Sequence, residues 1–331
     1  MVKAIKANMN NIEIWIKNNT FRHKDFCDLI KLIDLKMEQK IKISLCFPTL
    51  NEEKTIGKSV SIMKKQLMDT VPLLDEIVVI DSDSLDNTRI IAKEAGAKVY
   101  KASECMIEEG YKKGKGENLW KALSILKGDI IVYIDSDISN ITERFAYGII
   151  GPLLLKPNVK FVKAFYQRPY SIDNHPISLT EGGRVTEILI RPLFSYFFPE
   201  LAGIIQPLSG ECAGYRSVFE ELYYPIGYGI EVGMLIDIYQ KFGLDAIAQV
   251  DLDLRIHKNQ SISSLSRMSF GILQTFFKRI KEYRNIDVDV DKYFFYKTLS
   301  HKGKYELSSH KILEEEREPI KQLKSYRNMD K

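Results

Sequence analysis

Asp129-Ile130-Ile131-Val132-Tyr133-Ile134-Asp135-Ser136-Asp137 decides the fold. Gly128 closes a helical pattern just before it, the apolar run carries no polar alternation, and acidic residues end it. Such a run reads as a strand covered on both faces. The same texture recurs upstream in Glu76-Ile77-Val78-Val79-Ile80-Asp81 and in Ile43-Ser44-Leu45-Cys46-Phe47, which Pro48 stops; Ala97 to Tyr100 is a shorter version. Helices are expected between these strands: from Asn51 or Thr55 to about Met68, from Asp86 to Ala95 with Gly96 as its stop, and from Lys115 to Leu126. Strand–helix alternation with doubly apolar strands predicts an α/β fold, a doubly wound, mainly parallel sheet with helices on both faces. Ligands in such sheets sit outside the carboxyl ends of the strands. Here those ends carry Pro48-Thr49, Asp81-Ser82 and Asp135-Ser136-Asp137.

Farther out the order loosens. Ile12, Ile14, Trp15, Phe26, Leu29, Ile30 and Ile33 recur at helical spacing, so residues 1–40 read as a helical lead-in. After Gly151 a strand is expected at Lys160–Tyr166, helices at Arg184–Phe197 and Glu231–Phe242, and an edge strand at Ala246–Ile256. From about Met268 the chain reads as helical and charged, with an exposed tail from Lys311. The division is a lead-in at 1–40, a single elaborated unit at 41–270 with halves at 41–150 and 151–270, and a helical extension at 271–331.

Composition removes several classes of function. The chain has 331 residues, 28% of them charged and 45% hydrophobic, which is ordinary for a globular protein. Forty-eight basic against forty-four acidic residues leave a net charge of +4, too little for an electrostatic nucleic-acid binder. No run of about eighteen apolar residues exists, so no membrane partner is expected. The basic start never reaches an apolar stretch, so no secretory leader is expected. Cys27, Cys46, Cys105 and Cys212 lie far apart with no Cys-x-x-Cys pair, which suits reduced thiols in a cytoplasm.

Asp135-Ser136-Asp137 is the sharpest chemical signal. Residues i and i+2 of a strand point the same way, so both carboxylates can face one hard divalent cation. The competing reading is a strand-ending turn. Gly114-Lys115-Gly116 is no Walker loop; Lys115 either reaches a pyrophosphate or base carbonyl, or merely sits in a flexible loop opening a helix. Glu181-Gly182-Gly183-Arg184-Val185-Thr186 offers backbone N–H groups, a guanidinium and a hydroxyl to an anion, or is only a glycine turn with an N-cap. Gly227-Tyr228-Gly229-Ile230-Glu231 places a carboxylate at a helix start, where it is favourable even without a ligand. In Arg255-Ile256-His257-Lys258-Asn259, a histidine ends a strand; His23, His175, His301 and His310 have no comparable setting.

Taken in order, these segments and Pro48-Thr49-Leu50-Asn51-Glu52-Glu53, Ile80-Asp81-Ser82 and Gln206-Pro207-Leu208 resemble the nucleotide-sugar glycosyltransferases of the GT-A fold. They are most similar to the glucosyl-3-phosphoglycerate synthases and their mannose-using relatives. The resemblance runs from about Trp15 to about Ser269 and departs from the bacterial pattern at Ser209 and Cys212. It implies that Pro48, Thr49, Leu50, Asn51, Glu52, Ser82, Lys115, Asp135 and Ser136 hold uridine diphosphate, and that Tyr228, Gly229, Glu231 and Arg255 complete the donor site. Asp137 and His257 would ligate a divalent metal, Mg2+ or Mn2+; Gly183, Arg184, Val185, Thr186 and Asn259 would bind phosphoglycerate. Lys115, Asp137 and Glu231 would carry catalysis, with 41–150 as the nucleotide half and 151–270 as the acceptor half. The implied reaction moves glucose from UDP-glucose to the 2-hydroxyl of 3-phosphoglycerate with retention, in a cytoplasmic homodimer. The rival expectations are a GDP-mannose enzyme, a sugar-1-phosphate nucleotidyltransferase and a nucleotide-sensing module without catalysis.

Overall fold

One sheet of eight strands organises the protein, seen in a computed structural model that describes residues 2–172, 175–178, 183–256, 260–289, 294–301 and 305–328. In chain order the first half contains α1 (Val2–Asn19), β1 (Thr20–Arg22), α2 (Leu29–Glu38), β2 (Ile43–Thr49), α3 (Ile56–Lys64), β3 (Glu76–Asp81), α4 (Thr88–Glu94), β4 (Lys98–Lys101), α5 (Lys115–Ala122), β5 (Ile130–Tyr133) and α6 (Arg144–Leu155). Then come β6 (Phe161–Gln167), β7 (Tyr170–Ile172), β8 (His175–Ser178), α7 (Arg191–Phe197), β9 (Cys212–Tyr215), α8 (Arg216–Phe219), β10 (Tyr224–Pro225), α9 (Ile230–Phe242) and β11 (Ile247–Leu254). The C-terminal part is α10 (Ile262–Arg284), β12 (Phe295–His301), β13 (Tyr305–Lys311), β14 (Glu316–Arg317) and α11 (Lys324–Arg327).

The sheet runs β1-β11-β6-β9-β5-β2-β3-β4. Only β9 is antiparallel to its neighbours; the other pairs are parallel. Strands β2 and β3 are buried along their whole length, as their largely apolar runs require, and buried Ser44 donates to buried Glu76 at 2.6 Å. The pleat deals alternate residues to two cores: Cys46, Val78 and Ile80 pack on one face, and Leu45, Phe47, Ile77 and Val79 on the other. From β2 the chain winds outward to β3 and β4, then returns to β5 on the opposite side. The crevice for a ligand therefore opens between the ends of β2 and β5.

Four expectations need correction, among them the exposed tail from Lys311, whose Glu314, Ile320 and Tyr326 are buried. The lead-in is not only helical: Thr20–Arg22 pairs with Gln249–Asp251 and becomes the edge strand. Ala246–Ile256 is consequently not an edge, because β11 lies between β1 and β6. A three-residue strand is too short to show a period, so pattern alone misses it. The C-terminal segment is helical only to Arg284, where Asn285 caps α10 with a left-handed backbone (φ 53°). A hairpin of β12 and β13 follows, and β14 pairs with β10. The run Phe295-Tyr296-Lys297-Thr298-Leu299 carries the aromatic and β-branched residues that favour strands, which outweigh its charge. A boundary at residue 150 falls within α6, and one at 270 within α10. Among the described residues no helix is long and apolar enough to cross a membrane.

A buried ion cluster joins α9, α10 and the C-terminal segment. Arg279 donates to Asp237 Oδ1 at 2.6 Å and Oδ2 at 2.9 Å, and to Glu316 Oε1 at 2.9 Å. Burial pushes the Asp237 carboxyl up to about 6 even with Arg279 pulling it down. Removing the arginine leaves an uncompensated buried carboxylate. Arg279→Ala is therefore expected to lower the free energy of unfolding by about 3–5 kcal/mol, read as a shifted urea midpoint with an unchanged slope.

Candidate active site

The loops at the strand ends are laced together before they reach any ligand. Buried Asp81 accepts the Ser84 N–H at 2.8 Å, the Thr49 hydroxyl at 3.0 Å and Arg89 Nη1 at 3.0 Å. Asn51 has a left-handed backbone (φ 56°); its N–H donates to Ser84 Oγ at 2.8 Å and its Oδ1 accepts the Leu85 N–H at 2.9 Å. Glu52 N–H donates to Thr88 Oγ1 at 2.7 Å. Ser136 Oγ donates to the Pro48 carbonyl at 2.9 Å, tying the end of β5 to the end of β2.

The acidic pair meets for a different reason than strand pleat. β5 ends at Tyr133, so Asp135 and Asp137 lie in the turn beyond it. Arg255, 2% exposed, gathers them: its Nη2 lies 3.1 Å from Asp135 Oδ2, 2.7 Å from Asp137 Oδ1 and 3.4 Å from Glu211 Oε1. Tyr166 donates its hydroxyl to Glu211 Oε2 at 2.5 Å and packs its ring against Arg255. Gly210 makes room for this arrangement, because a β-carbon there would lie 2.0 Å from Asp135 Oδ2.

Lys115 occupies the gap between Asp135 and Glu231, 2.6 Å from Asp135 Oδ1 and 2.8 Å from Glu231 Oε1. Its two glycines serve packing. β-Carbons on Gly114 and Gly116 would lie 2.2 Å and 1.8 Å from the carbonyl oxygens of Ile226 and Pro225. Only glycine lets the start of α5 lie so close to β10 and the Gly227 loop. Burial works against the Lys115 charge, but Asp135 and Glu231 outweigh it and hold its pKa well above the lysine range. Likewise burial would raise Asp135, yet Lys115 and then Arg255 hold its carboxyl well below the usual range. Glu52 is raised, first by burial and then by Asp137, Asp86 and Asp135, with the Thr55 hydroxyl opposing.

These groups share one cleft of about 590 Å³. Pro48, Thr49, Leu50, Glu52, Ser82, Lys115, Asp135, Ser136 and Asp137 line it together with Gly183, Arg184, Val185, Thr186, Tyr228, Glu231 and Arg255. Arg184 Nη2 donates to the Gln260 carbonyl at 2.9 Å. Two expected residues do not line the cleft: Asn51 spends its side chain on the loop lacing, and Gly229 is packed against Thr275, whose Oγ1 would lie 2.0 Å from a β-carbon. His257 and Asn259 lie outside the described residues, as do Glu181 and Gly182. Sequence reasoning missed Glu211, Tyr166, Arg168, Asn118 and the apolar Leu265, Met268 and Ile272, and it gave Leu208 of the Gln206-Pro207-Leu208 segment no role. The one available signal was Gly210-Glu211 beside the predicted Gln206 loop; the apolar residues look like ordinary helix core.

A divalent cation fits this donor set. Two cations, Arg255 and Lys115, directly meet four carboxylates, those of Asp135, Asp137, Glu211 and Glu231. Asp137 keeps its side chain 38% exposed toward the cleft. Hard carboxylate oxygens plus ligand phosphates are the usual shell of magnesium or manganese. Among the described residues no group of three or more acidic, histidine or cysteine side chains forms a complete site. Asp137 would therefore need partners from a ligand or from outside those residues.

Residues 44–221 match the model of glycosyl transferase family 2. The glucosyl-3-phosphoglycerate synthase of Petrotoga mobilis is 54% identical over 276 residues, which cover 83% of this chain and 85% of that protein. Among solved structures, mannosyl-3-phosphoglycerate synthase from Rubrobacter xylanophilus superposes with a TM-score of 0.85 at 35% identity, covering 94% of this chain and 97% of its own. Glucosyl-3-phosphoglycerate synthase from Mycobacterium tuberculosis, in complex with Mn2+, UDP and phosphoglyceric acid, gives 0.81 at 34% identity over 92% of this chain and 98% of its own. That mycobacterial enzyme has also been solved with Mg2+ and UDP, and with Mn2+, UDP-glucose and phosphoglyceric acid.

The seat of Asp135 on Gly210 is open to test. Gly210→Ala inserts a methyl group where the carboxylate lies, an overpacking that costs about 1–3 kcal/mol of stability. It should also displace Asp135 from Lys115 and weaken manganese binding about tenfold, measured by paramagnetic resonance titration.

Proposed function

The chain belongs to glycosyl transferase family 2 and, within it, to the glucosyl-3-phosphoglycerate synthases, and from that membership we propose how its cleft divides the work. It is a glycosyltransferase that moves glucose from UDP-glucose to 3-phosphoglycerate in a metal-dependent reaction. One observation carries the assignment of parts: the Asp135–Asp137 turn and the Gly183–Thr186 segment line the same cleft.

In this reading Pro48 to Glu52, Ser82, Asp135 and Ser136 hold the uridine diphosphate portion, with Asn51 acting through the loop it braces. Asp137 and His257 would hold the divalent cation. When bound, that ion supplies Lewis-acid neutralisation of the diphosphate. Lys115 adds a preorganised positive charge beside the departing group, held in place by Asp135 and Glu231. Arg255 keeps both acidic side chains of the turn aimed at the cleft. Tyr228 and Glu231 meet the hexose, while Gly229 sets the path of the backbone between them. Arg184, with Gly183, Val185, Thr186 and Asn259, orients the anionic acceptor and turns an encounter into a positioned attack. The Leu208, Leu265, Met268 and Ile272 wall excludes water that would compete with the acceptor hydroxyl.

Glu231 is engaged with Lys115, which favours binding and polarisation over nucleophilic attack. We read the reaction as retaining, with the acceptor 2-hydroxyl attacking from the face that the diphosphate leaves. A cytoplasmic homodimer, with a product that feeds glucosylglycerate synthesis, completes the proposal. The 54% identity to a glucosyl enzyme sets UDP-glucose ahead of GDP-mannose as donor. The test is a donor panel: UDP-glucose and GDP-mannose, each with 3-phosphoglycerate and with or without manganese, products identified by NMR. Faster turnover of GDP-mannose would overturn the donor assignment.

Two variants separate the subsites. Arg184→Ala removes a charge-assisted anion contact worth about 1.5–3 kcal/mol. The KM for 3-phosphoglycerate should rise roughly ten- to over a hundredfold, with that for UDP-glucose little changed. Arg184→Lys should recover only part of the loss, since the bidentate fork is gone. His257→Ala should weaken manganese binding by calorimetry and flatten its decline below pH of about 6.5, where an ordinary imidazole takes up a proton. An unchanged manganese isotherm would remove His257 from the metal site.

A further inference from the structure

The segment 312–318 lies far beyond the family match, which ends at residue 221, yet it contacts the loop before α9 and the helix that begins with Lys115. It is pinned on α10: Gln274 Nε2 donates to the Ile312 carbonyl at 2.8 Å, Glu314 N–H donates to Gln274 Oε1 at 2.9 Å, and Lys278 Nζ donates to the Glu314 carbonyl at 2.7 Å. From there it reaches the cleft loops. Ile226 N–H donates to the Glu315 carbonyl at 2.9 Å, and Gly227 N–H donates to Glu314 Oε1. The Glu314 carboxylate is 5% exposed and sits in a socket that glycines alone permit. A β-carbon on Gly227 would lie 2.7 Å from its Oε2, and one on Gly271 would lie 2.8 Å from the same atom.

We propose that Glu314 is a positioning residue for the donor hexose, holding the backbone of residues 227–231 so that Tyr228 and Glu231 meet the sugar. The proposal rests on the reading of that loop as the sugar site. A loop with glycines at 227 and 229 has many backbone conformations, and a charge-assisted bond from a buried carboxylate selects one. The neighbouring charges are already engaged: Glu315 with Lys112, Glu316 and Asp237 with Arg279, Glu231 with Lys115, and Arg317 with Glu117. Burial pushes the Glu314 carboxyl up to about 7, with the N–H groups of Gly227 and Gly229 and the Lys278 charge opposing and Glu316 adding to the rise. Above that value the loop N–H is held by a carboxylate; below it the group is a neutral acid and the hold on the loop weakens.

Glu314→Gln keeps the shape and mimics the protonated form. The KM for UDP-glucose is expected to rise about tenfold at pH 8, while the KM for 3-phosphoglycerate and the affinity for UDP alone stay within about twofold. With manganese saturating, the parent KM for UDP-glucose should rise several-fold from pH 8 to pH 6, and the variant should be flat. Hydrogen exchange of the amides at 227–231 should be faster in the variant, and that at 48–52 unchanged. Glu314→Asp, which keeps the charge but falls short of Gly227, should raise the same KM and retain the pH dependence; it decides the matter should the glutamine variant fold poorly. Equal rises in both KM values, or unchanged exchange at 227–231, overturn the proposal. If the parent turns over no UDP-glucose, the function assignment fails, and the exchange data still decide the role of Glu314.

Discussion

The Arg255 guanidinium is the contact on which the active cleft depends. It is buried, and it is the common partner of Asp135, Asp137 and Glu211, three side chains from two separate parts of the chain. Without it three carboxylates would crowd one another in a poorly hydrated space, and their mutual repulsion would drive them apart. With it they lie close together, and Asp137 keeps its side chain 38% exposed toward the cleft. A divalent cation can bridge such a carboxylate and a diphosphate. Breaking such a buried pair is costly because the remaining charges are left uncompensated. Arg255 follows β11, so the ladder from β1 through β6 to β9 also sets where the acidic turn is held.

The second constraint is close backbone approach. Gly114, Gly116, Gly210, Gly227 and Gly229 each stand where a β-carbon would collide with a carbonyl, a carboxylate or a hydroxyl. They let α5, the acidic turn and the loop before α9 converge within reach of one Lys115 ammonium. The C-terminal segment completes this convergence from outside. Arg317 donates to Glu117 Oε2 at 2.8 Å and Oε1 at 2.7 Å, beneath the helix that begins with Lys115, and Trp120 Nε1 donates to the Glu318 carbonyl at 2.9 Å. A segment distant in sequence from every recognisable motif thereby fixes the two loops that would flank the sugar.

Local pattern was enough for the doubly wound sheet. Ile43–Phe47, Glu76–Asp81 and Ile130–Tyr133 are strands because largely apolar runs of that length have to be covered on both faces, and their carboxyl ends mark the crevice. The ordered motifs from Pro48 to Asn259 were enough for the family, since residue types at those strand ends are dictated by chemistry close by in the chain. Strands β1 and β9 were not legible: Thr20–Arg22 and Cys212–Tyr215 are too short for a period and exist because neighbouring strands offer them hydrogen bonds. Asn51 and Lys115 look alike as polar residues at loop starts, yet one braces a loop and the other enters the cleft. Arg255 as the common partner of three acids, Gly210 as the seat of Asp135 and Glu314 beneath Gly227 belong to the tertiary structure alone. Each joins residues dozens to more than a hundred positions apart or depends on the space one β-carbon would fill, and only packing decides those.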